Sequence, residues 1–206
     1  MRSMKWFTVF IGGIFLFWGC GGPKILVPPR VDLRPYGTLG MIELSSNAQG
    51  NLAPYTSQKI LHSLQEAQPG TLVVELGTLQ NALDSVGLNE LDVEAIRALG
   101  SKYGVGGILT GNLKVGKVKP SINIASTLTT INVSAYVEAL LSAKLVETNS
   151  GATVWTNAAQ GRENVGSVSL MGGNPVFNAK DPDKAYGQLV HQLVGYICDD
   201  FWSHYK

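Results

Sequence analysis

The sequence predicts an α/β fold, a single domain with a mixed β-sheet flanked by helices in which a long antiparallel hairpin is followed by a C-terminal helix. Three observations carry this. After residue 38 the apolar periodicity switches repeatedly between strand-like and helical. The first half alternates strand, helix, strand, helix, the order of parallel crossovers. Residues 133–162 then read as two long strands about an Asn-Ser-Gly turn.

Thr38–Ser45 (TLGMIELS) is an apolar run fit for a buried strand, and Asn51 with Pro54 marks a helix start. Ile60, Leu61, Leu64 and Ala67 recur at helical spacing until Pro69-Gly70. Thr71–Gly77 is the second strand, and Leu79, Ala82, Leu83 and Val86 form a short helical stripe closed by Gly87. Asp92 is placed to cap a helix through Tyr103 with Val93, Ile96 and Leu99 inward, and Gly104 stands where a left-handed C-cap is expected. Val105–Val118 is the third strand, and 119–132 is a polar, Thr/Ser-rich connection whose state the sequence leaves open. Across 133–147 one face carries Val133, Ala135, Val137, Ala139, Leu141, Ala143 and Leu145, and Thr153–Arg162 returns as its partner. Residues 163–183 hold three glycines and two prolines and read as a long loop, a length that more often marks function than scaffolding. Lys184–Trp202 is the final helix, with Leu189, Val190, Leu193, Val194, Ile197 and Phe201 as its stripe.

The first 19 residues read as an export signal: Arg2 and Lys5, an apolar stretch over Trp6–Trp18, then Gly19 and Cys20. Thirteen residues are short of the roughly 20 that span a bilayer. Gly19-Cys20 with Leu16 nearby resembles the bacterial lipobox, in which Cys20 receives a diacylglyceryl group, although Phe17 and Trp18 are bulkier than that pattern prefers. Lipidation at Cys20 with cleavage before it would give a stable membrane attachment. Gly21, where inner-membrane retention signals usually show Asp, points by resemblance to the outer membrane of a Gram-negative bacterium. Residues 20–37, with Pro23, Pro28, Pro29 and Pro35, then read as a lipidated cysteine and Pro-rich tether, with a reach of at most about 50 Å. Residues 38–206 form the periplasmic α/β domain.

Removing the signal takes away two cations and moves the formal charge from +1 to −1, without the basic footprint of a nucleic-acid binder. Two cysteines, one of them at the signal junction, allow no internal disulfide framework. His62, His191 and His204 show no metal-ligand spacing, so no metal is expected. Cys198 reads as a buried inert thiol. Gly100–Gly107 runs from a helix into a strand, the wrong polarity for a phosphate cradle. Asp199-Asp200 and Glu90, Asp92 and Glu94 are adjacent or capping carboxylates rather than a dyad, and serine-nucleophile motifs are absent. No catalytic residue and no cofactor is predicted. The aromatic C-terminus offers Trp202 and Tyr205 as candidate interface residues.

Three stretches, TLGMIELS at 38–45, LDVEAIRALGSKYGVGGILTGNL at 91–113 and VSAYVEALLSAKLVETNSGATVW at 133–155, resemble the periplasmic αβ domain shared by the curli-secretion lipoprotein CsgG, the penicillin-binding-protein activator LpoB and the N-terminal domain of TolB. The resemblance implies no enzyme and no cofactor. Its leading implication is an outer-membrane-anchored, periplasm-facing lipoprotein that acts, as a homo-oligomer with an envelope protein partner, as a binding or assembly module in envelope biogenesis or secretion. The alternative is a subunit of a CsgG-like oligomeric secretion channel. On sequence alone 119–132 and 163–178 look polar and short for its membrane hairpins, and a channel is the lesser expectation.

Overall fold

The computed structural model describes residues 24–48, 50–117, 119–124, 131–171, 174–179 and 182–205. They fall into two units, the larger being Pro29–Trp202. Of the smaller, Leu26–Val27 (β1) pairs antiparallel with His204–Tyr205 (β10), Leu26 opposite Tyr205. Cys20 and the predicted export signal lie outside the described residues.

The larger unit is built on one mixed sheet. Its strands are Thr38–Ile42 (β2), Ser45–Ser46 (β3), Leu72–Gly77 (β4), Gly107–Val115 (β5), Lys119–Ile124 (β6), Ile131–Glu147 (β7), Thr153–Met171 (β8) and Asn174–Ala179 (β9). The order is β4-β2-β5-β7-β8-β9, with β3 paired to β5 and β6 to β7. β2 lies parallel between β4 and β5, as two crossovers require, and everything from β5 onward is antiparallel. The helices are Leu52–Ala67 (α1), Leu79–Val86 (α2), Val93–Tyr103 (α3) and Pro182–Cys198 (α4).

Strand β2 is buried from Leu39 to Ile42 because it is covered on both faces. Leu39 and Met41 join Ile60 and Leu64 of α1 and Leu193 and Ile197 of α4 in one cluster. Ile42 joins Ala82, Ile96 and Leu99 of α2 and α3 in the other. β7 instead alternates, and Val137, Ala139, Leu141, Ala143 and Leu145 are all buried in the first cluster. Local punctuation follows the sequence: the Asp92 carboxylate accepts from Ala95 N at 2.9 Å, and Gly87 and Gly104 take left-handed C-caps. At Gly106 a Cβ would stand 2.2 Å from the Tyr36 carbonyl, so only glycine admits that crossing.

The structure corrects three expectations. The predicted loop at 163–183 is instead strand: β8 runs on to Met171, β9 follows, and α4 begins at Pro182. The final helix stops at Cys198 and tightens into a 3₁₀ turn over Asp199–Phe201. Val93, expected inward, is 47% exposed and leans on Gly151 at the β7–β8 turn.

Part of the predicted tether packs on the body. Leu33 is fully buried. The Gln68 side chain accepts from Leu33 N at 2.9 Å and donates to the carbonyls of Val31 at 2.6 Å and Phe201 at 3.2 Å. Asp200 accepts from Arg30 at 3.1 Å, Trp155 Nε1 at 3.0 Å and Asn157 Nδ2 at 3.2 Å. These bonds make residues 30–33 a strap across the ends of α1 and α4.

Candidate functional site

Beyond Val137 and Val165, the last described members of the helix-covered cluster, the sheet continues as a ribbon of four strands in the order β6-β7-β8-β9. An Asn164/Val165 irregularity, where β8 carries one extra residue opposite Ala135/Tyr136, separates ribbon from body. The register sorts the ribbon into rows. Ser121, Ser134, Ser167 and Asn178 stand side by side. The next row is Ile122, Val133, Val168 and Phe177. Then come Asn123, Asn132, Ser169 and Val176, and beyond them Ile124 faces Ile131 and Leu170 faces Pro175. Successive rows belong to opposite faces of a sheet, so the Ile122, Val133, Val168, Phe177 row alternates with rows of Ser and Asn, into which β9 brings one aliphatic, Val176.

The ribbon also lacks charge. Residues 120–137 and 164–179 together are 34 residues without Asp, Glu, Lys or Arg, where the chain's 15% charged content would supply about five. Charges resume at its base, where Lys119 pairs with Glu138 and the Arg162 guanidinium lies 6.0 Å from the Tyr136 ring centroid. Hydrogen bonding to Glu138 raises the Lys119 pKa.

At that base a groove opens between α1 and α4, with a volume of about 1110 Å³. Tyr55, Lys59, Tyr186 and His191 line it, and Val115-Gly116 close the end from which the ribbon starts. Asn47 fixes this end: its side chain accepts from Val115 N at 2.7 Å and donates to Val115 O at 2.9 Å. The Lys59 ammonium sits 5.6 Å from the centre of the Tyr55 ring.

The residues singled out in the sequence do not gather here. Trp202 is 38% exposed and Tyr205, on β10, is 70% exposed, so both offer surface, while Phe201 is buried against Trp155 with ring centroids 4.8 Å apart. His62 sits on the surface beside Glu66, and only His191 borders the groove. Burial pushes the Cys198 thiol up to about 12. Among the described residues no group of three His, Cys, Asp or Glu could hold a metal, and no helix is long and apolar enough to cross a membrane. The ribbon was missed because Ser and Asn interleave with single aliphatics. Counting charge-free length would have marked both of its hairpins.

No family model and no curated protein matches the chain. Among solved structures it is similar to a point variant of the PelC dodecamer from Paraburkholderia phytofirmans, at 8% identity and TM-score 0.47, over 89% of this chain and 100% of that one. It is also similar to the lipoprotein GNA1162 from Neisseria meningitidis, at 17% identity and TM-score 0.42, over 78% of this chain and 97% of that one. For the LpoB C-terminal domain from Salmonella enterica the identity is 14% and the TM-score 0.38, over 61% of this chain and 83% of that one. Likenesses this distant carry no argument about activity or partners.

Proposed function

We propose that this chain is a lipid-anchored, non-enzymatic envelope protein, attached through Cys20 to the outer membrane, whose four-stranded ribbon enters that membrane as its share of an oligomeric β-barrel channel. The register supports the reading: beyond Lys119, Glu138 and Glu163 the four neighbouring strands carry no charge, and a row of Ile122, Val133, Val168 and Phe177 lies between rows dominated by Ser and Asn. That is the pattern of strands with lipid on one side and water on the other. The two charge-free segments hold 18 and 16 residues, and the outer strands β6 and β9, at six residues each, are shorter than the 9–11 of a membrane strand. A lone ribbon has two open edges, which hydrocarbon does not tolerate, so insertion requires several copies to close a barrel.

A second reading keeps the ribbon outside the membrane, docked on a partner protein as part of a binding and assembly module. Pro120 in β6 and Pro175 in β9 favour it, since proline is at home on strands whose outer edge stays unpaired.

Single cysteines at 122, 133, 168 and 177, and at 121, 134, 167 and 178, in the full chain in isolated outer membranes separate the two. Insertion predicts that the first set resists a water-soluble maleimide and is quenched by lipid-borne nitroxide while the second set labels, and that purified oligomers conduct ions in planar bilayers. Uniform labelling without conductance establishes the docked module instead.

A further inference from the structure

We infer that the groove between α1 and α4 is a binding site for the phosphate of an anionic phospholipid headgroup, a reading that rests on insertion of the ribbon. The groove is open and spacious, and among the described residues it is lined by Lys59 and His191 and by no carboxylate. Among the described residues Lys59 makes no ion pair; its contact is the face of Tyr55, which leaves its charge available to an anion. The location is specific. Val115-Gly116 close the groove, and from there the chain runs through Lys117 to Lys119 and into the ribbon. Lys114 and Lys117, both exposed, bracket that turn. If the charge-free rows occupy hydrocarbon, this turn and the groove beside it stand at the level of the headgroups. Tyrosines settle at that depth because they are apolar in body and polar at the tip, and Tyr55 and Tyr186 supply them. Lysines there meet lipid phosphate, at a gain worth about fivefold in binding for each cation brought to the surface. A groove lying on the water side of a soluble docking module would have no reason to combine these features with the root of the ribbon.

The test uses the full chain in nanodiscs of phosphatidylcholine with and without 30% phosphatidylglycerol, read by native mass spectrometry for retained lipid, with 10 mM inorganic phosphate as competitor. The expected result is selective retention of phosphatidylglycerol, reduced at least fivefold in Lys59→Glu and further in Lys59→Glu/His191→Glu, with Lys144→Glu, on the opposite face of β7, as the matched control. Release by free phosphate would assign the site to the phosphate group itself, and resistance to it would assign the site to the whole headgroup with its glycerol. Equal retention of both lipids, or a loss as large in Lys144→Glu as in Lys59→Glu, would overturn the site. The maleimide pattern of the ribbon cysteines, measured on the same variants, separates the two failures. An intact pattern with no lipid preference defeats the groove alone, and a lost pattern defeats insertion.

Discussion

The strands β7 and β8 carry apolar rows in both body and ribbon, yet the two stretches meet different surroundings. From Val137 to Leu145 the row on β7 is sealed under α1 and α4. The same alternation continues through Ala135, Val133 and Ile131, past the last described member of that cluster on β7. One fold thus uses a single strand twice, and the difference teaches that an apolar row is defined by what covers it. In the body, helices that the chain itself supplies remove the row from water. On the proposed reading, the ribbon's covering comes from outside.

The sharpest way to break this contrast is to put charge on the apolar rows. Val133→Arg with Val168→Arg is expected to abolish ion conductance of the purified oligomer in planar bilayers, since an arginine at mid-membrane on a barrel's lipid face costs about 2–4 kcal/mol apiece. The body's unfolding free energy from a urea titration should stay within about 0.5 kcal/mol of wild type. A body that unfolds in this variant would show that the two regions are one cooperative unit.

The converse substitution acts on the body. Leu145, which is fully buried, is expected to cost about 2–5 kcal/mol as Leu145→Ala in a denaturant titration of the detergent-solubilised chain. The same truncation at Val133 should leave that titration unmoved.

The strap gives a smaller effect. Asp200→Ala leaves Trp155 Nε1 and Asn157 Nδ2 without their shared acceptor. A loss of about 1–3 kcal/mol is expected, with a red shift in tryptophan emission and faster tryptic cleavage at Arg30. Unchanged emission would mean that the strap is decoration.

The smallest effect concerns pH. The folded state holds Cys198 as a thiol, with its pKa raised to about 12 from 9.0 by burial. Since the folded value is the higher, the contribution is present below the unfolded pKa and drains as pH rises from about 9 toward 12. At pH 10 the wild type should have lost about 1 kcal/mol more than Cys198→Ala, compared by urea midpoints at pH 7 and pH 10.

Much of the body could be read from the sequence because its signals are local. Asp92 and Gly104 bound α3 where the capping chemistry says they should, and the inward set Val137–Leu145 is visible as period-two alternation. The ribbon's strands were not legible. In one dimension, Ser121-Ile122-Asn123-Ile124 reads as a polar connection, and only pairing with Ile131–Ser134 and Ser167–Leu170 turns its isolated aliphatics into rows. Val93 misled for a related reason: the helical stripe includes it, but the β7–β8 turn arrives beside it and covers only part of it. Which surface serves as the site was even less accessible, because the groove gathers residues from helices that lie more than a hundred positions apart in the chain.

On the proposed reading, the strap also sets the local concentration of ribbon at the bilayer. Were Cys20 acylated as proposed, with the body packed from Pro29 onward, nine peptide steps would separate lipid from protein, at most roughly 30 Å when fully drawn out. A body confined to a hemisphere of that radius meets the membrane at an effective concentration of roughly 30 mM, against roughly 6 mM for a leash of about 50 Å. On that reading Gln68 and Asp200, which bond to the strap and not to the ribbon, would raise the encounter frequency about fivefold before a single ribbon residue entered hydrocarbon.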